Sequence, residues 1–286
     1  MVNRRFLWRP RVILALLCLC GALLTPRSAW SFHTEDDRQT DFSAFTLRKS
    51  QLRLGLFQQE AGIANWWSIG TYTAPWLLIP FTGAFNGSVY TKIKFIDLNG
   101  FAASARVNYF IFNLRNFNAG NFEDGKFHAS VLPISGTVSY VINPVWTQSF
   151  DATWVETFAH GSGGVKENSA VFGAGLQRTL QLTLSSEVRL SRILALNFLA
   201  RYVPWAQAVS FSSDATAPDG TQVWVEGEVE AADLRNSWMM QVGTTFSWAR
   251  FNLQLGLGYG DFFVPGIRFV GVNKAPIPDL DFFFRF

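Results

Sequence analysis

Residues 238–259 read WMMQVGTTFSWARFNLQLGLGY. Successive side chains of a β-strand point to opposite faces, so a strand sorts its residues into two rows. Here Trp238, Met240, Val242, Phe246 and Trp248 form one row, and Gln241, Thr245 and Ser247 the other. Phe251, Leu253, Leu255, Leu257 and Tyr259 then alternate with Asn252, Gln254, Gly256 and Gly258. Ala249-Arg250 is a two-residue turn that sets Trp248 opposite Phe251 and Phe246 opposite Leu253. Both apolar rows then share one face. A slip of one residue would send a whole row to the other face, so agreement of turn and phase marks an antiparallel hairpin.

The same alternation fills residues 88–97, 101–113, 171–184 and 187–203. Leu98-Asn99-Gly100 reads as a three-residue hairpin loop with Gly at its left-handed position. That loop pairs Asp97 with Phe101, Phe95 with Ala103 and Ile93 with Ala105. Short connections at 98–100, 142–144, 185–186 and 249–250 alternate with long ones at 115–125, 159–168, 204–235 and 262–279. Trp146, Trp205, Trp238, Trp248 and Tyr259 sit at strand ends. Alternating segments, short turns at one end, long loops at the other and aromatic girdles are the pattern of a barrel in lipid. A soluble sandwich or ligand-binding barrel also alternates, but its apolar face is covered by another layer. It would not need this many long strands with so few charges in one row.

The fold expected is therefore all-β, a transmembrane antiparallel up-and-down β-barrel. Nine strands follow from residue 88 onward, and residues 45–57 and 66–79 suggest two more. Bacterial single-chain barrels have an even number, so the count is ten or twelve, with twelve preferred. The apolar phase slips near Lys49 to Leu52, which suggests a bulge or break there.

Residues 1–31 differ from the rest. Arg4, Arg5, Arg9 and Arg11 precede an uncharged stretch, Val12 to Leu24, and a small-residue site at Ala29-Trp30-Ser31. This order predicts a secretory signal peptide cleaved after Ser31. The stretch is too short for a membrane-spanning helix, which needs ~20 residues. The segment holds five arginines and no acid, so its removal takes the formal charge from +3 to −2. The basic balance thus belongs to the signal, and nucleic acid is not an expected partner. Both cysteines, Cys18 and Cys20, leave with it, which excludes disulfides and Cys-based metal sites in the mature chain. Residues 32–44 are polar and read as a periplasmic tail, leaving 45–286 as the barrel.

At the end of the chain Leu280, Phe282, Phe284 and Phe286 alternate with Asp281, Phe283 and Arg285. This resembles the C-terminal strand of Gram-negative bacterial outer-membrane β-barrel proteins, which commonly end on an aromatic residue. The resemblance covers about residues 45–286 and stays at the level of the class. It implies residence in the outer membrane among its lipids. It also implies that Phe282, Phe284 and Phe286 are an assembly signal read by the barrel-assembly machinery.

Catalytic signatures are scarce. The chain has no phosphate loop, zinc-protease pattern or dinucleotide fingerprint. Gly161-Ser162-Gly163-Gly164 reads as a flexible outside loop. Neither a cofactor nor a metal is expected. One arrangement carries chemistry: His128 and Ser130 share a strand face, and a turn at 142–144 would place Ser130 near Glu156. A base, a nucleophile and an acid would then meet on the outer wall, the makings of a lipid hydrolase. The plainer reading is polar residues at headgroup level. The inward row holds Lys92, Lys94, Arg106, Arg189, Arg201 and Arg285, against Asp151, Glu187 and Asp281. That balance predicts a pore or solute channel with a cationic lumen passing small anionic solutes. A filled structural or adhesive barrel, closed by internal salt bridges, is the alternative.

Overall fold

The computed structural model describes residues 38, 40–82, 84–119, 122–165, 169–216, 222–227, 235–248, 250–262 and 270–286. The strands among them are β1 Leu52–Gly55, β2 Gln58–Ala64, β3 Trp67–Tyr72, β4 Gly87–Leu98, β5 Phe101–Ala119, β6 Phe122–Asn143 and β7 Trp146–Val165. They continue with β8 Ser169–Arg189, β9 Leu194–Thr216, β10 Gln222–Gly227, β11 Trp238–Trp248, β12 Phe251–Phe262 and β13 Val270–Arg285. Twelve of these close a ring of antiparallel pairs, because β13 pairs with β1 and β8 with β9. β10 stands outside the ring, folded back on the far end of β9. The strand that sequence reading missed is β2, whose GlnGlnGluAlaGlyIleAla run is short and scarcely alternates.

Two faces of opposite character explain the closure. Phe95, Val242 and Leu257 on the outside are 63%, 60% and 59% exposed, whereas Arg53, Asp151 and Thr183 on the inside are each 1% exposed. Polar residues fill the interior and apolar ones face out, the inverse of a soluble protein. In hydrocarbon every backbone polar group must find an internal partner, and only a closed ring leaves no edge. Among the described residues no helix is long and apolar enough to cross a membrane. The lower aromatic ring includes Trp66, Tyr140, Trp146 and Trp248, all exposed. Tyr202 and Tyr259 belong to the upper one, with the stacked pair Trp154–Trp205 at 5.0 Å.

The wall is uneven. β5 to β9 run 19 to 23 residues, but β1, β2 and β3 only 4, 7 and 6. Two short helices, Thr73–Leu77 and Ile79–Thr82, follow the low side. Trp76 meets Phe85 edge-on at 5.7 Å, over Gly87 on the outer face.

Three turns differ in detail from the sequence expectation, and each has a local cause. The β4–β5 turn is the two residues Asn99-Gly100, with φ of 44° and 86°, as a type I′ turn requires. A bulge at Phe95 then restores the expected pairing of Ile93 with Ala105. The β8–β9 turn lies at residues 190–193, not 185–186. Ser191 Oγ accepts the amides of Ile193 and Leu194, each at 3.1 Å, and fixes the turn there. At the β6–β7 turn Asn143 Oδ1 accepts the amides of Val145 and Trp146 at 3.0 and 2.9 Å, and a register shift follows between Val141 and Asn143. Trp248 opposite Phe251 and Phe246 opposite Leu253 stand as the sequence indicated. The expected long loops are largely strand: β5 runs to Ala119, β7 to Val165, and β13 begins at Val270.

Residues 40–44, expected as part of a periplasmic tail, instead lie inside the barrel together with 45–47, while 48–50, expected within a first strand, are exposed beside the β2–β3 turn; residues 32–37 are outside the described residues. Ser185 Oγ of β8 donates to the carbonyl of Phe42 at 2.8 Å, and Ala44 N–H donates to Ser139 Oγ of β6 at 2.7 Å. Leu47 N–H donates to Ser68 Oγ of β3 at 3.0 Å. β8 and β3 lie on nearly opposite sides of the ring, so this segment crosses the lumen. It passes directly over Gly62, where a Cβ would stand 1.9 Å from the carbonyl oxygen of Arg48. Only glycine permits that approach.

Candidate functional site

The molecule is a closed β-barrel with a polar interior and an apolar outer face, so its chemistry has to reside in the lumen or on the wall. The inserted segment organises the lumen. Lys92 of β4, 2% exposed, points its Nζ at three carbonyls of that segment: Thr40 at 2.8 Å, Ser43 at 2.7 Å and Phe45 at 2.6 Å. An ammonium has three donors, and all three are used. Thr40 Oγ1 donates to Glu60 Oε2 of β2 at 3.1 Å. Asp41 pairs with Arg53 of β1 at 2.5 Å, and the same guanidinium reaches Asp281 of β13 at 3.1 Å. Burial opposes ionisation of Asp41, but Arg53 beside it outweighs that and holds its carboxyl below the usual range.

The other inward cations are also engaged. Arg106 donates to Asn108 Oδ1 at 2.9 Å, bonds the Tyr72 hydroxyl and lies 3.9 Å over the Tyr90 ring. Arg189 pairs with Glu187 at 2.7 Å. Arg201 donates to Thr183 Oγ1 at 3.3 Å and sits 5.3 Å over Phe42 of the inserted segment. Arg285 donates to the carbonyl of Arg38 at 3.5 Å. Lys94, near the β4–β5 turn, pairs with Asp97. Among the described residues the buried cations Arg53, Lys92, Arg106, Arg189, Arg201 and Arg285 are accompanied by six buried acids, Glu60, Asp151, Glu187, Asp261, Asp279 and Asp281. The sequence reading counted only Asp151, Glu187 and Asp281 as inward. Glu60 lies on the missed strand, Asp261 lies next to the end of β12, and Asp279 lies within β13 in a stretch expected as loop.

Beside the inserted segment lies a cavity of about 90 Å³ that opens to solvent. Asp41, Phe42 and Ser43 form one wall, and β9, β11, β12 and β13 supply Asn197, Arg201, Met239, Gln241, Gln254 and Asp279. The lining reaches Thr147 and Glu187, close to the turn end of the barrel. Asn197 donates to Thr245 Oγ1 at 2.6 Å, while its buried Oδ1 has no protein partner among the described residues. Asp279 Oδ2 accepts from Gln254 at 2.7 Å and also from Gln241.

On the outer wall His128 lies opposite His160, Ser130 opposite Phe158 and Leu132 opposite Glu156. The shift at the β6–β7 turn moves Glu156 away from Ser130, and Glu156 pairs instead with Arg178 of β8 at 3.0 Å. His128 Nδ1 contacts Asn113 Oδ1 of β5 at 2.7 Å. Ser130 makes no side-chain hydrogen bond to His128 or Glu156. A base, nucleophile and acid are thus not brought together, and the hydrolase reading loses its geometric support. Phe282, Phe284 and Phe286 lie on the outer face of β13, with Phe284 and Phe286 stacked at 6.3 Å.

No protein-family model matches the chain, and neither does any curated protein. Solved structures are similar in part. A TodX monoaromatic hydrocarbon channel mutant has 12% identity over 85% of this chain and 68% of its own, with a TM-score of 0.47. The toluene transporter TodX of P. putida has 12% identity over 82% and 66%, with a TM-score of 0.46. A major outer membrane protein from Thermus thermophilus has 11% identity over 82% and 99%, with a TM-score of 0.33. The chain spans about two thirds of the length of TodX. At such identities no residue correspondence is transferable.

Proposed function

We propose that this barrel is a solute channel whose lumen is constricted by the inserted segment 40–47, and that passage runs through the cavity beside that segment. The observation that carries this is the cavity itself. A filled structural barrel would pack the space between the segment and β9 to β13, whereas a cavity of about 90 Å³ stays open there. Its lining mixes carboxylates, amides and guanidinium groups with Phe42, Leu199 and Met239. Fixed charges of both signs bias permeating ions little, so the fitting solute is small and polar, neutral or zwitterionic.

Single-channel recording of the refolded protein in a planar bilayer tests this. A small conductance with a reversal potential near zero under a salt gradient is expected. A strong anion preference would instead establish a cationic lumen. Silence of the wild type and of a variant with a loosened segment would establish the filled barrel instead.

A further inference from the structure

Histidine occurs three times in the chain, and two of the three face each other across one strand pair. His128 of β6 is the register partner of His160 of β7, and their rings lie 4.7 Å apart, centroid to centroid, at 37°. Directly opposed residues hold their Cβ atoms roughly 4.5–5.5 Å apart, close enough for both side chains to reach one point.

The tautomer of His128 follows from its neighbours. Asn113 Nδ2 donates to the carbonyl of Phe85. This fixes which end of the Asn113 amide is oxygen. Oδ1 therefore meets His128 and can only accept, so His128 Nδ1 carries the proton and donates at 2.7 Å. The lone pair of His128 is left on Nε2. An imidazole held through Nδ1–H by a carbonyl oxygen, with Nε2 bare, is the usual preparation of a metal ligand.

We propose that His128 and His160 form a two-imidazole site for a divalent transition-metal ion, with zinc as the reference case, on the outer wall of the barrel. Imidazole nitrogen suits zinc, copper and nickel, whereas magnesium and calcium demand oxygen ligands. Two imidazoles on one tetrahedral ion at ~2.0–2.1 Å have ring centroids roughly 5 Å apart, close to the 4.7 Å between His128 and His160. No group of three or more His, Cys, Asp or Glu that could hold a metal occurs among the described residues, so the ion keeps its remaining positions for water or an external donor. The site is reachable from water. His160 is exposed and stands fourteen residues beyond Trp146 along β7. At ~3.3 Å per residue and a tilt near 45°, that is above the apolar band of ~25 Å. A bound ion would clip β6 to β7 where both rise out of the membrane.

The experiment is zinc titration by calorimetry on the refolded full-length barrel, produced without a polyhistidine tag. One ion per chain is expected. His128→Ala and His160→Ala should each weaken binding at least tenfold, and His33→Ala should not. Asn113→Ala, which removes only the orienting acceptor, should weaken it on the order of tenfold. Binding should fade as pH drops below about 6, where protons compete for the imidazoles. Heat-modifiable migration on gels establishes that each variant is folded. Copper-loaded protein should show coupling to two nitrogens in its electron paramagnetic resonance spectrum. Zinc binding that survives in folded His160→Ala, or no binding up to roughly 1 mM zinc, a free energy of about −4 kcal/mol, overturns the proposal.

Discussion

The amide of Phe286 donates to the carbonyl of Leu52 at 2.9 Å, and the amide of Leu52 donates to the carbonyl of Phe286 at 3.1 Å. This reciprocal pair is where the last strand meets the first and the ring closes. β1 has only four residues, so these bonds are a large part of its hold on β13. Deleting Phe286 removes both bonds and a ring that stacks on Phe284. The expected outcome is less folded, heat-modifiable barrel in the outer membrane. Unchanged amounts would show that closure does not depend on this seam.

The two faces of β11 can be told apart by one pair of substitutions. Val242 is 60% exposed on the outside, and Gln241 points into the cavity beside Asp279. A cation at the lipid midplane costs ~2–4 kcal/mol. Val242→Arg should therefore cut folding yield sharply, while Gln241→Arg, with a carboxylate at hand, should fold nearly as well as wild type. Refolding into lipid vesicles measures both, and the reverse order would mean that the faces are exchanged.

Lys92 ties the inserted segment to the wall, and charge-assisted hydrogen bonds are worth about 1.5–3 kcal/mol each. Lys92→Met keeps the length and removes all three donors. The barrel should still assemble, because ring closure does not involve this side chain. Mean conductance should rise several-fold as the segment loosens. Conductance equal to wild type in a folded variant would show that the segment is held by other contacts.

Acid should loosen the same segment through Asp41. A carboxylate whose folded-state pKa is depressed contributes stability that is fully present above its unfolded value and is lost as pH falls through the folded one. Asp41 is depressed by Arg53, so its anchorage is intact at neutral and mildly acidic pH and fails only below about pH 4. Conductance should stay level from pH 7 to 5 and climb below 4. In Asp41→Asn the same climb should be absent, because the charge is already gone.

The strand phase was legible in the sequence because lipid and lumen impose opposite requirements on alternate residues over many turns. Trp248 opposite Phe251 and Phe246 opposite Leu253 needed nothing beyond that alternation and a short turn. Phase does not say where a strand ends, and Ser185-Ser186 carried the composition of a turn while lying within β8. The count of twelve depended on β2, whose short run alternates too weakly to be seen.

Three features needed the tertiary structure. Residues 40–44 read as the end of a tail and 45–47 as the start of a strand, and only the ring of serines and Lys92 converging on them makes the lumen their place. The inward acids Glu60 and Asp279 became visible only when irregular stretches took their seats in the wall. The meeting of His128 with His160 rests on the Asn143 turn and the register shift beside it, which move every partner on β7 by two residues. Alternation decides which face a side chain occupies and leaves its partner open. Partners follow from register, and register is set by turns and bulges whose geometry depends on hydrogen bonds that a linear pattern does not contain.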